Sequence, residues 1–164
     1  MQFKGHLYRA LNPHYAAAPL SGAGAARYGG RFNAKGTPAL YTALSPETAL
    51  REANQVGTLQ PTTLVALRAR IDRLFDARDG TALARYQMTP DLLASPTWRN
   101  DMRITGIAPT QAFAKTLVSA GYDAMLVPSY AAGAAPTSLN IVLWSWADSA
   151  TVALSVVDDE NRLS

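Results

Sequence analysis

The chain has 164 residues, 48% of them hydrophobic and 16% charged, with a net charge of +3; it reads as one globular domain spanning 1–164, and the composition excludes a disordered chain. No run approaches the roughly 18 apolar residues of a membrane span, and residues 1–15 lack an apolar core followed by a small-residue cleavage site, so the expected location is the cytoplasm. The absence of cysteine excludes disulfides, thiol nucleophiles and cysteine-ligated metals, and His6 and His14 lack the i, i+4 spacing of a helical metal pair, so no metal is expected.

In chain order, His6–Ala10 reads as a short strand. The stretch from Asn12 to Gly36, rich in Ala, Gly and Pro, reads as a long irregular loop, a length that points to function in a compact domain. Ala39–Ala43 is a second strand. The next element is marked as a helix at both ends: Ser45 is the N-cap, Pro46 the first helical residue, Glu47 lies in the first turn, and Gly57 follows the end. At about 100° per residue, Ala53 and Val56 fall within about 40° of Ala49 and define the inward face. Glu52 lies about 60° from that line, whereas Glu47 and Arg51 point to solvent. The chain has only three glutamates, Glu47, Glu52 and Glu160, so one that flanks a buried face needs a reason.

Thr63–Ile71 alternates Val65, Leu67 and Ile71 against Arg68 and Arg70, the pattern of a strand with one wet face. A helix over Gly80–Gln87, a short one opened by Thr89-Pro90, and an irregular segment from Ser95 to Gly106 follow. Pro109–Ala120 reads as a helix burying Phe113 and Leu117 and stopped by Gly121. Tyr122–Val127, Leu139–Trp144 and Thr151–Val157 read as strands. Strands at both ends with helices between them indicate an α+β fold.

Gly22-Ala23-Gly24-Ala25-Ala26 superficially resembles a dinucleotide fingerprint, but it follows no buried strand, and no phosphate-binding loop or Gly-x-Ser-x-Gly turn is present. In Gly29-Gly30-Arg31-Phe32-Asn33, two glycines let backbone approach a ligand while Arg31 offers a fixed fork of donors; a glycine turn carrying a solvated arginine is the plainer alternative. Tyr41 in the next strand and Glu52 on the inner flank of the next helix can converge with Arg31 on one cleft. Ser129 follows a strand ending in Val127-Pro128, a place where side chains are presented to ligands, or it is simply a turn hydroxyl. Arg9 needs an anionic partner if it points inward and none if its strand edge faces water.

Taken together, Tyr8-Arg9-Ala10, Gly30-Arg31-Phe32-Asn33 with Gly36, Leu40-Tyr41, Ala49-Leu50-Arg51-Glu52, Val127-Pro128-Ser129 and Asn140-Ile141-Val142-Leu143 resemble, in order and spacing, the RES domain. That family is named for an Arg, a Glu and a Ser and supplies the toxins of RES-Xre type II toxin-antitoxin pairs. The resemblance implies a single domain with a split, mainly antiparallel sheet like that of the ADP-ribosyltransferase toxins, and an activity that consumes NAD+. It places functional positions on Arg9, Arg31, Tyr41, Glu52 and Ser129, with Ser138 a competitor for the family serine. Glu52, Arg31 and Tyr41 are then the expected catalytic residues, and Arg9, Arg31, Tyr41 and Ser129 the expected NAD+-binding ones. It also implies a cognate Xre-type antitoxin. The expected reaction cleaves the nicotinamide-ribose bond and passes ADP-ribose to a protein, because Glu47 points away, Glu160 lies in a polar tail, and only loop aspartates such as Asp101 or Asp123 remain to activate water. An NAD+ glycohydrolase or phosphorylase is the alternative within the class. A small basic nucleic-acid-binding module, using Arg68, Arg70 and Arg73, is the alternative outside it.

Overall fold

The computed structural model describes residues 1–55 and 57–163. Seven strands form one sheet in the order β4-β5-β6-β2-β1-β3-β7: β1 (Phe3–Leu11), β2 (Leu40–Ala43), β3 (Thr63–Ile71), β4 (Leu74–Asp76), β5 (Ala124–Pro128), β6 (Leu139–Leu143) and β7 (Val152–Val156). Adjacent strands are antiparallel except for the parallel β4-β5 edge. β1 pairs with β3 along its whole length, from Phe3 opposite Ile71 to Leu11 opposite Thr63. Among the described residues it meets β2 only where Tyr8 faces Ala43. The sheet is therefore almost two sheets, β4-β5-β6-β2 and β1-β3-β7, joined at one described residue pair, consistent with the split, mainly antiparallel sheet that the family resemblance implies.

Alternation along the central strands explains how the two halves pack. Met125, Val127 and Val142 turn to one side and meet Leu83, Leu93, Phe113 and Leu117 from the helices. Ala124, Leu126, Ile141 and Leu143 turn to the other side and meet Leu7, Leu67, Ile71 and Val152 from the second half of the sheet. The sheet thus curls back over itself, and β5 and β6 are buried on both faces, as their almost unbroken apolar runs require. On the helical side, Phe75 packs edge-on against Phe113, Tyr86 and Tyr122 at centroid distances of 5.9, 5.7 and 5.2 Å, the arrangement that aromatic quadrupoles favour.

Six helices connect the strands among the described residues: α1 (Ala23–Tyr28), α2 (Pro46–Ala53), α3 (Gly80–Ala84), α4 (Pro90–Leu93), α5 (Trp98–Thr105) and α6 (Pro109–Ser119). Two segments expected to be irregular contain helices. The first, within 12–36, holds a 3-10 turn at Pro13–Tyr15 and α1, which ends where Gly29 adopts φ 73°. Its Ala and Gly residues carry no apolar periodicity from which a helix could be read. The second, within 95–106, is α5; it is closed by Gly106 at φ 85° and buries only Trp98, so a polar sequence hid it. The helix expected over 80–87 stops at Ala84, and Gln87 takes φ 58°. β4, three residues long, was not expected at all.

On α2, Ser45 caps the helix by accepting from Thr48 N at 3.1 Å. Thr48 and Ala49 are buried and Glu47 is exposed. Arg51, expected in solvent, is half-buried, and Ala53, expected in the core, is exposed along a cleft. Val56, expected on the same inward face, lies outside the described residues. No helix among the described residues is long and apolar enough to cross a membrane. Because Ile141 is 0% exposed between the two halves, Ile141→Ala is expected to cost about 2–5 kcal/mol in urea unfolding, whereas Val118→Ala at 44% exposure should stay within about 0.5 kcal/mol of wild type.

Candidate active site

Where β1 and β2 diverge beyond Tyr8 and Ala43, a cavity of about 470 Å³ opens, within the range of about 300–1,000 Å³ typical of small-molecule sites. α2 forms one wall and delivers Glu52 from its last turn. The Glu52 carboxylate is half-buried and is held on both oxygens. Oε1 accepts from Ser129 Oγ in a very short contact and from Asn140 Nδ2 at 2.8 Å; Oε2 accepts from Gln55 Nε2 at 2.9 Å. Donors at fixed positions replace the water that a half-buried carboxylate has lost. Ser129 sits just past β5 and Asn140 on β6, so the carboxylate is pinned to the end of the sheet. The Asn140 Oδ1 atom on the far side of that amide is buried with no hydrogen-bond partner among the described residues.

Ser138, the competing serine, is also buried, but its hydroxyl accepts from Ala135 N at 3.2 Å within its own turn, while its carbonyl accepts from Ser129 N at 2.9 Å. It supports the backbone of Ser129 and does not reach Glu52.

Arg31 lies across the cavity in a tight turn closed by the Gly30–Asn33 bridge. Its Nη1 donates to the carbonyls of Leu93 (3.1 Å) and Ser95 (2.6 Å), and its guanidinium stacks over the Tyr130 ring at 4.9 Å. Burial lowers its pKa from the ordinary arginine value, an effect reinforced by Arg99 and opposed by Tyr130 and Glu52. The two glycines before it line the cavity, and Gly30 is also required by internal packing. A Cβ on Gly30 would overlap the Tyr41 hydroxyl and the Asn33 side chain. Tyr41 Oη donates to Asn33 Oδ1 at 2.5 Å and accepts from Phe32 N at 3.0 Å. Its ring lines the cavity while its hydroxyl clamps the Arg31 turn. Burial raises the pKa of the Tyr41 phenol, and raises that of Tyr130 to about 12, so both rings are neutral at ordinary pH.

Arg9 points inward from β1. It donates to Pro19 O, and burial lowers its pKa; no carboxylate pairs with it among the described residues. A desolvated guanidinium with one carbonyl partner favours an anion in the cavity. The cavity lining brings together Arg9, Arg31, Tyr41 and Glu52, with Ser129 directly behind the Glu52 carboxylate.

Other groups in the site carried weaker signals or none. Trp98 and Arg99 reach the cavity from α5, with Arg99 over the Trp98 ring at 4.6 Å; nothing in a segment read as irregular marked them. Tyr130 follows Ser129 in a loop and was equally silent. Asn140 did carry a signal, as one polar residue opening the apolar run Ile141-Val142-Leu143. Gln55 lies just past the C-cap of α2, where helical phase no longer applies.

Among the described lining residues Glu52 is the only acid, and histidine is absent. Asp101 accepts from Thr97 Oγ1 and Asp123 from Thr151 Oγ1 outside the cavity. No cluster of three or more His, Asp or Glu that could hold a metal occurs among the described residues. The basic strand face is neutralised by its own acids, Arg68 pairing with Asp159 and Arg70 with Asp72, while Arg73 donates to Gly121 O at 3.5 Å.

A nearly split sheet framing a cleft in which, among the described lining residues, one carboxylate accompanies several arginines defines an α+β protein with a polar cavity at the split. The RES domain family model matches residues 6–164, and the chain belongs to that family. Its domain is associated with NAD+-related toxin function and typically pairs with an antitoxin. No curated protein matches the chain.

The tight packing around Gly30 generates a prediction. Gly30→Ala forces the Tyr41–Asn33 clamp apart and is expected to cost about 1–3 kcal/mol. Gly24→Ala, in α1 with nothing within 4 Å of the added carbon, is expected to stabilise by about 0.5–1 kcal/mol because alanine is the better helix former. Thermal melts of the two variants should therefore move in opposite directions.

Proposed function

We propose that the whole chain, 1–164, acts as one RES domain that cleaves the nicotinamide-ribose bond of NAD+ and transfers ADP-ribose to a protein acceptor. The observation that carries this reading is the Glu52 carboxylate, fixed by Ser129 and Asn140 inside a cavity lined by arginines, in a chain of this family.

NAD+ suits the residues present. Its pyrophosphate calls for cations, and Arg9 is a half-buried guanidinium with no carboxylate partner among the described residues. Its nicotinamide is a neutral leaving group, so cleavage needs chiefly a negative charge near the ribose as positive charge grows there. Glu52 supplies that charge and accepts from the 2′-hydroxyl, a role similar to that of carboxylates in glycoside hydrolysis. Of its two oxygens, Oε2 is the one open to substrate, because its donor, Gln55, is exposed and can swing away; Oε1 stays tied to Ser129 and Asn140. Ser129 therefore acts mainly through Glu52. Tyr41 offers its ring to the nicotinamide while its hydroxyl holds the Arg31 turn, and Arg31 presents the remaining edge of a guanidinium already anchored on two carbonyls.

The scarcity of acids bears on the acceptor. Water attacking the ribose needs a general base, and among the described lining residues there is no second carboxylate and no histidine to serve. A protein side chain brings its own nucleophile. One observation favours a second reading, phosphorolysis: Arg99 lines the cavity with no carboxylate partner among the described residues, where it can receive inorganic phosphate. The family also implies a cognate antitoxin of Xre type, and contact with nucleic acid only through it.

NAD+ labelled in its adenylate half separates these outcomes. The purified chain is expected to hydrolyse it slowly, and to consume it faster in cell extract with label on a discrete protein band. Label on phosphorylated ADP-ribose selects the phosphorylase, and rapid release of free ADP-ribose without protein labelling selects the glycohydrolase. Glu52→Gln is expected to lower nicotinamide release by at least about 100-fold, roughly 3 kcal/mol, and Glu47→Gln to leave it nearly unchanged. Arg31→Lys keeps the charge but loses the planar fork and the stacking on Tyr130, so turnover should fall, whereas Arg68→Ala should not alter it.

A further inference from the structure

Gln111, in the first turn of α6, has no part in the chemistry described so far, yet it is 1% exposed and every part of its amide is engaged. Its Oε1 accepts from Ala108 N at 2.9 Å, which ties it to the start of its own helix. Its Nε2 donates to Gly30 O at 2.9 Å and Asn33 O at 3.1 Å. Those two carbonyls are the ends of the Gly30–Asn33 bridge, and Arg31 lies between them in the chain. The side chain of Asn33 fastens the same turn from the other side, with Nδ2 donating to Ala25 O at 2.8 Å and Thr37 O at 2.9 Å. The backbone after Gly29, at φ 73°, has little regular structure of its own to hold it, so the turn is fixed by amides reaching in from α6 and from Asn33.

We propose that Gln111 is a positioning residue that sets the place of Arg31 in the cavity, an inference resting on the reading of Arg31 as a substrate-binding group. Only a group with a donor facing the turn and an acceptor facing Ala108 satisfies this position. A carboxylate of the same shape keeps the acceptor but turns an oxygen toward two carbonyl oxygens. Buried against them, its pKa rises, and once protonated it regains one donor.

The test is Gln111→Glu and Gln111→Met, alone and combined with Arg31→Lys, read by NAD+ consumption across pH and by backbone amide exchange at Gly30 and Asn33. Gln111→Glu should lose about tenfold in kcat/KM near pH 8 and recover relative to wild type as pH falls toward about 5.5, following the raised pKa of a buried carboxyl. Gln111→Met should lose activity at all pH values and expose the Gly30 and Asn33 amides to exchange. In the Arg31→Lys background either change should add less than about twofold, because groups acting through one another are not additive. Phe113→Leu, on the same helix but packed in the apolar core, serves as the stability control: it should lower the melting temperature and keep the wild-type pH profile. Additive losses with Arg31→Lys, a Gln111→Glu profile parallel to wild type, or unchanged exchange at Gly30 and Asn33 would each overturn the proposal. If Gln111→Met fails to fold, the pH recovery of Gln111→Glu still decides it. Should the wild-type chain consume no NAD+, the functional reading fails, and amide exchange still shows whether Gln111 holds the turn.

Discussion

A carboxylate inside a protein persists where fixed donors stand in for lost water, and the geometry of this fold converges on supplying them to Glu52. The helix that carries it is capped at Ser45 and packs Thr48 and Ala49 inward, which fixes the direction of its last turn. Ser129 and Asn140 then have to arrive from the ends of two strands lying side by side, with Val127 opposite Asn140 in the ladder. Shifting the β5-β6 register by one residue would turn Asn140 to the other face of the sheet and leave Glu52 short of a donor.

The split in the sheet follows from strand lengths. β1 has nine residues and β2 four, and they share one described pair. Beyond it β1 stays with β3 and β2 with β6, so backbone that would otherwise be paired frames a cleft. The same divergence lets Arg9 turn inward from β1 into space that a regular sheet would have filled. Cleft and core are thus two outcomes of one arrangement: the curl that buries Leu7 and Leu67 against Ile141 also opens the site.

The wall opposite Glu52 is held differently. The turn carrying Arg31 is fixed by side-chain amides and a phenol, from Gln111, Asn33 and Tyr41, and Arg31 in turn fastens the carbonyls of Leu93 and Ser95. One arginine therefore links the cavity wall to the end of α4 and the segment after it, which leads into α5, whose first residues Trp98 and Arg99 line the cavity. Arg31 and Arg99 bring positive charge to this part of the lining, and Glu52 is the only carboxylate among the described lining residues.

Much of this was legible in the residues alone. The capped helix, the one glutamate on its inner flank, the alternating strand at Thr63–Ile71 and the apolar runs of β5 and β6 follow from local rules of capping and periodicity, which act over a few residues. Their order was enough to suggest the family. Hidden were α5, whose polar sequence buries only Trp98, and the partners of each site residue. Ser129 lies 77 residues from Glu52 and Asn140 lies 88 away, and the carbonyls that hold Arg31 are 62 and 64 residues distant. Pairings over such separations depend on strand register and on how the sheet curls, and neither leaves a periodic mark in the sequence. Composition therefore announced that Glu52 needed a reason; Gln55 is a local donor to one oxygen, but the donors to the other, Ser129 and Asn140, reach the half-buried carboxylate only because the whole fold carries them there.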